Sequence, residues 1–196
     1  MIPLWIKIAV TAFICVLVPV NWRQYGPANF LWFSDLALFL AGAALWFENS
    51  LLASMAALAV LLPECAWNID YFLRLARGKP VFGLSSYMFD PGIPWAIRCV
   101  SYFHVWLPIL LVWVLFRLGY DPRAFVAQTL LALAVVPLSY ASGGPKMNVN
   151  WAYGFGDDPQ TIMPPRIYLL VVMALFPLVI YLPTHLLLER IVPVIK

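Results

Sequence analysis

Along its length the chain alternates long apolar runs with short clusters of charged, glycine, proline and asparagine residues. A first run over about residues 2–20 is broken only by Lys7, which stands close enough to one end to snorkel to an interface. Pro19-Val20-Asn21-Trp22 offers no small-residue cleavage site after that run, so it reads as a retained span. The interfacial mixture of Trp22, Arg23, Tyr25, Gly26 and Pro27 leads to a second run, about 29–47. Glu48-Asn49-Ser50 then turns the chain, with Asn49 or Ser50 expected as the N-cap of the next helix. The third run is apolar over about 51–62 and polar afterwards, with Pro63, Glu64, Asn68 and Asp70 ahead of Arg74, Arg77 and Lys79. Residues 78–94 mix Gly, Pro and Ser with Val81, Phe82, Tyr87 and Phe89, and are expected to lie on or dip into a bilayer. A fourth run covers about 95–116 and a fifth about 124–141. The longest connection, 142–165, carries the turn signals Gly143-Gly144-Pro145 and Asp157-Asp158-Pro159. A sixth run over about 167–188 is expected to kink at Pro177 and Pro183.

This pattern predicts an all-α, polytopic integral membrane protein of about six transmembrane helices, with residues 1–196 forming a single transmembrane helical domain. Composition strengthens the reading: 64% of residues are hydrophobic and 11% charged, with a mean hydropathy of +0.88. So few charges cannot cover a water-exposed surface, so lipid is the solvent for most of the exterior. The net charge of +3 is spread over the loops with no basic run, which argues against nucleic acid as a partner. Cys15, Cys65 and Cys99 sit within apolar runs at scattered spacing and are expected to be buried fillers, neither a disulfide framework nor a zinc site.

With six spans, the first, third and fifth loops share one side of the membrane, and the polar residues gather toward it. Ser34 and Asp35 lie about two turns into the second span from that side. His104 lies at similar depth in the fourth, Arg98 in its first turn, and Glu64, Asn68 and Asp70 in the last turns of the third. Asn148 and Asn150 precede the sixth. An ionisable group at depth costs about 2.5–3.5 kcal/mol on insertion scales, so these groups are expected to face one another or a wet cavity. The plain alternative is helix-to-helix glue, with Asp35, Glu64 or Asp70 paired to Arg98 or Arg23. His185 falls near the far end of the sixth span beside Thr184 and Glu189 and cannot meet His104, which disfavours bis-histidine haem and a multi-histidine metal site. No metal and no cofactor is called for.

A serine and a histidine in one leaflet permit nucleophilic acyl chemistry, with His104 taking the Ser34 proton as the oxygen attacks a carbonyl. Glu64 suits the third role of orienting the imidazole better than Asp35, because neighbours on a helix point about 100° apart. Asn148 or Asn150 is a candidate donor to an oxyanion, and Asp35 a candidate partner of Arg23 or Arg98. On spacing alone, Ser34 reads sooner as a membrane-helix serine bonded to a carbonyl one turn back or stabilising a helix contact.

Three segments carry a family resemblance: Phe30-Leu31-Trp32-Phe33-Ser34-Asp35-Leu36-Ala37-Leu38, Tyr102-Phe103-His104-Val105-Trp106, and Asn148-Val149-Asn150-Trp151 followed by the Pro-rich last span. In order and content they resemble a family of polytopic transmembrane lipid acyltransferases with bacterial relatives. That family and the related transmembrane hydrolases of branched fatty-acid esters work through a nucleophile–histidine pair. The resemblance implies Ser34 as acyl acceptor and His104 as base. Serine stands here where the family has cysteine, and Trp32 where the bacterial relatives have a further histidine.

The expected function is therefore membrane-embedded acyl transfer or ester hydrolysis on a membrane lipid, and the expected location a bacterial inner membrane. The alternative is a non-catalytic subunit or lipid-binding scaffold packing with a second copy or with partner subunits of a membrane complex, which the nine tryptophans suit equally well. A small transporter ranks below both, because no pair of interrupted helices recurs in two matching halves. Arg23, Arg74, Arg77, Lys79, Arg98, Lys146 and Arg166 outnumber Lys7, Arg117, Arg123, Arg190 and Lys196 on the opposite side, an excess that points the polar end toward the cytoplasm.

Overall fold

The computed structural model describes residues 1–156 and 158–195; Asp157 of the Asp157-Asp158-Pro159 turn signal and Lys196 of the charge tally lie outside the described residues. Among the described residues the α-helices are α1 (Leu4–Tyr25), α2 (Phe33–Phe47), α3 (Ser50–Arg77), α4 (Trp95–Val100), α5 (Phe103–Leu118), α6 (Ala124–Met147), α7 (Pro165–Leu175) and α8 (Leu182–Ile191). The one β feature among the described residues is an isolated bridge between Tyr120 and Val194. Among the described residues five stretches are long and apolar enough to cross a membrane: α1, α3, the α4–α5 pair Trp95–Leu118, α6, and the α7–α8 pair Pro165–Ile191. The last pair is joined by a π turn, Phe176–Tyr181, with Pro177 near its start, so the expected kink takes the form of a wound-out turn.

The second span departs from expectation. α2 has 15 residues and rises only about 22 Å, short of a hydrocarbon core of about 30 Å. Gly26 (φ 77) ends α1, and Pro27–Leu31 form a 3₁₀ turn in place of the missing helical turns. Non-helical backbone at such depth persists only where protein or a wet cavity satisfies it. Ser34 consequently sits in the first turn of α2 instead of two turns inside a helix. Two further boundaries move outward: α3 runs unbroken through Pro63 to Arg77, and α6 continues to Met147 across a break at Gly144 (φ 65).

Polar contacts sort the loops to two ends. Glu48 accepts from the Ile2 N–H at 3.0 Å and from Lys7 Nζ at 2.9 Å, tying the start of α1 to the α2–α3 turn, where Asn49 caps the Leu52 N–H. At the same end the Asp121 N–H donates to Ser54 Oγ at 2.9 Å, and Tyr120 exchanges backbone bonds with Pro193 and Ile195. Residues 29–32, 82–87 and 148–156 gather at the other end, around one cavity.

α3 is the central helix. It packs most extensively on α2, then on α5 and α6. Ala37, Ala41 and Ala44 of α2 and Ala53, Ala56 and Ala57 of α3 are all buried, small residues that let helices approach closely where lipid supplies no hydrophobic drive. The outer surface carries Trp5, Ile109, Phe116, Leu130, Leu170 and Leu178 exposed. Cys15, Cys65 and Cys99 are exposed as well, contrary to the expectation of burial. In a bilayer the apolar face is the outer one, so an apolar position does not imply a core position.

Candidate functional site

The central feature is the pair Glu64–His104. Glu64 lies one residue past Pro63 on α3, is buried, and accepts from His104 Nδ1 with both oxygens, at 2.8 and 2.9 Å. Facing an ionised Glu64, a neutral His104 carries its proton on Nδ1 and leaves the lone pair on Nε2. Among the described residues no hydrogen bond engages Nε2. Trp67, one turn along α3 from Glu64, lies over the imidazole with ring centres 4.9 Å apart, and Phe103 lies 4.2 Å away.

What holds the two helices in register is Asn68. Pro108 has no N–H to give the His104 carbonyl, which would otherwise be orphaned inside α5. Asn68 Nδ2 donates to that carbonyl at 2.7 Å and to the Glu64 carbonyl at 2.8 Å, bridging α3 to α5 beside the carboxylate and imidazole.

A cavity of about 590 Å³ opens against this pair. Ser34, Asp35, Glu64, His104, Asn148 and Asn150 line it together with Trp67, Tyr87 and Lys146. Asn68, Asp70 and Arg98 do not. Ser34 and His104 share the cavity, but no hydrogen bond joins them, and the Ser34 hydroxyl makes no bond to a carbonyl one turn back. The N–H groups of Ser34 and Asp35 have no acceptor among the described residues, as is usual for first-turn donors of a helix, whereas that of Phe33 is taken by Asn150 Oδ1 at 3.0 Å.

Several expected roles are corrected by the bonding. Asp35 pairs with neither Arg23 nor Arg98. Its Oδ2 accepts from Asn29 Nδ2 at 3.2 Å, while Oδ1 is buried without a partner. Arg98 is not among the residues lining the cavity, and its Nε is buried without a hydrogen-bond partner among the described residues. Neither asparagine is available to an oxyanion. Asn150 Nδ2 donates to Leu31 O and Ser139 Oγ, and Asn148 Nδ2 to Gly154 O and Gly156 O. These bonds hold Asn148 (φ 41), Asn150 (φ 54) and Trp151 (φ 54) in left-handed conformations costing about 1–3 kcal/mol each, strain that clusters at the cavity rim. Asp70 is a loop anchor: Oδ1 accepts from the N–H groups of Val81, Phe82 and Gly83, and Oδ2 from the N–H and Oγ of Ser85. It thereby fixes the 81–87 segment, which supplies Phe82, Leu84 and Tyr87 to the cavity wall.

Trp67, Tyr87, Asn29 and Phe176 escaped the sequence reading. Trp67 had a signal, since it stands three residues from Glu64 on one helical face; the others come from the 3₁₀ turns and the π turn, which no periodicity announces. Compared with known protein families, curated proteins and solved structures, the chain matches none.

Proposed function

We propose that this membrane protein transfers or hydrolyses an acyl group of a lipid ester, with Ser34 as nucleophile and His104 as its base. The observation that carries the reading is the free Nε2 of an imidazole whose Nδ1 is held by a buried carboxylate, in one cavity with a serine at a helix N-terminus. His104 Nε2 takes the Ser34 proton as Oγ bonds to the ester carbonyl carbon, and Glu64 stabilises the imidazolium that results. The free N–H groups of Ser34 and Asp35, at the positive end of α2, would meet the oxyanion. As the intermediate collapses, His104 returns the proton to the departing alcohol. Water or an acceptor hydroxyl then takes the acyl group from Ser34 by the reverse sequence.

The missing hydrogen bond between Ser34 and His104 favours a second reading, a lipid-binding protein that breaks no bond. One experiment separates the two. Full-length protein treated with a fluorophosphonate should be labelled at Ser34, as mapped by peptide mass spectrometry, and Ser34→Ala should carry no label. A folded wild type that takes no label ends the catalytic reading.

A further inference from the structure

Beside the polar cavity runs a second hollow, a groove of about 330 Å³ lined entirely by apolar side chains. One wall is α3 between Leu62 and Ile69, and Ile180 of the π turn forms part of the other. Phe82, Leu84, Trp151 and Phe155 complete it, and these four with Pro63 line the polar cavity too, so groove and cavity adjoin across a shared wall. Leu62, Ile69, Phe82 and Phe155 are exposed, which places the groove on the lipid-facing surface.

The polar end specifies a partner. Asp35 and Trp67 are each more than nine-tenths buried, and Asp35 Oδ1 and Trp67 Nε1 make no hydrogen bond, although the Asn21 amide stands near Asp35 and the Tyr87 hydroxyl near Trp67. One is an acceptor and the other a donor, and both residues line the cavity. A hydroxyl, which donates and accepts, satisfies either. An ammonium can serve Asp35 but gives Trp67 nothing to donate to. A phosphate would stand beside the buried carboxylates of Asp35 and Glu64, while the one lysine or arginine lining the cavity, Lys146, is exposed.

We infer that the site takes a neutral, hydroxyl-bearing lipid ester with one acyl chain, of the monoacylglycerol type. The chain lies in the α3 groove, and the hydroxylated end enters the cavity past Phe82 and Trp151. The inference names the substrate class of the proposed lipid-ester chemistry and in that sense rests on it, but the binding it describes needs no bond cleavage.

The test uses full-length protein in detergent with a monoacylglycerol carrying a photoactivatable diazirine in its chain. Adducts should map to residues 62–69 and 151–155. Unlabelled monooleoylglycerol should compete, and lysophosphatidate of the same chain should compete about tenfold less well. Asp35→Ala should weaken labelling by about tenfold through loss of the hydroxyl's partner. Ala66→Trp should abolish the adducts by filling the groove, and Leu62→Trp, at an exposed position, repeats the test if the first variant does not fold. Adducts scattered over the lipid-facing surface, equal competition by lysophosphatidate, or adducts that survive both tryptophan variants would overturn the inference. Photolabelling in a protein that refuses fluorophosphonate removes the acyl-transfer reading and leaves the groove assignment standing; the reverse result removes the groove assignment alone.

Discussion

The two histidines of this chain sit at opposite ends of the bundle and are wired in opposite senses. His104 gives its Nδ1 proton to Glu64 and keeps an unengaged Nε2 at a cavity. His185 bonds the Tyr120 hydroxyl through Nδ1 at 2.7 Å, has Nε2 3.6 Å from Glu189, and lies stacked on Phe125. A tyrosine hydroxyl donating to Nδ1 consumes that lone pair and leaves the proton on Nε2, directed to the carboxylate. The same side chain is thus poised to accept a proton at one end and is spent on packing at the other. A carboxylate neighbour alone does not distinguish them; which nitrogen it holds, and what is left on the other, does.

Substitution of each histidine should expose that contrast most sharply. His104→Gln is expected to slow fluorophosphonate labelling of Ser34 by about 10²–10⁴-fold, the usual contribution of a general base, whereas His185→Gln leaves the rate unchanged. Glu64→Gln should fall between, since the imidazole keeps a hydrogen-bond partner but loses the charge that stabilises its cation. Labelling rates on the purified variants decide the matter, and equal effects at the two histidines would dissolve the distinction.

A smaller effect tests how the His104 end is held. Asn68→Ala leaves the His104 carbonyl without a donor inside α5 and should destabilise the protein by about 1–3 kcal/mol. Pro108→Ala restores the helical N–H that this carbonyl lacks, so the double variant should recover part of the loss. Unfolding free energies for the four proteins give the coupling. Strict additivity would mean that Asn68 does not stand in for the proline's missing donor.

The helical class and most spans were legible because apolar runs of membrane length have few other interpretations, and the kink at Pro177 was legible because proline withholds an N–H from the helix. The late start of α2 was not. An apolar segment continues through residues 27–31 whether it coils as α or 3₁₀, and hydropathy cannot tell the two apart. That shift moved Ser34 to a helix end and brought Asn29 to Asp35 in place of an arginine. Within the site, Glu64, His104, Ser34 and Asp35 could be gathered by depth alone, which is a one-dimensional quantity. Asn148, Asn150 and Asp70 share that depth but spend their polar atoms on loop backbone and on the Ser139 and Ser85 hydroxyls, a choice made by loop conformation. Cys65 shows the complementary failure, since inside and outside are equally apolar in a membrane and composition cannot assign a face.

At the His185 end the expected effects are structural and of ordinary size. Tyr120 is fully buried, and Tyr120→Phe removes one hydrogen bond while keeping the ring, leaving the imidazole Nδ1 without its donor. A loss of about 1 kcal/mol in unfolding free energy is expected, with no change in Ser34 labelling. A change in labelling would connect two ends that the hydrogen bonding keeps apart.

The smallest effect expected is a pH dependence of the same end. Asp121, in the turn after α5, accepts from the Arg123 guanidinium at 2.7 Å and from the Arg123 N–H at 3.0 Å, and these bonds hold its carboxyl below the ordinary aspartate range. Because the folded-state pKa lies under the unfolded one, the stabilisation is complete above about pH 3.9 and is lost as pH falls through the lower folded value. The Arg123 side chain is 79% exposed, so solvent screens the pair and its contribution should be less than that of the buried Tyr120 hydrogen bond. Stability measured from neutral to strongly acid pH should show wild type slightly above Arg123→Gln near neutrality and the two converging at the acid end. Labelling of Ser34 by the two proteins should be the same at neutral pH, since the pair lies at the end of the bundle away from the cavity. A gap that stays constant down to the acid limit would show that Arg123 acts by packing and not through the charge of Asp121.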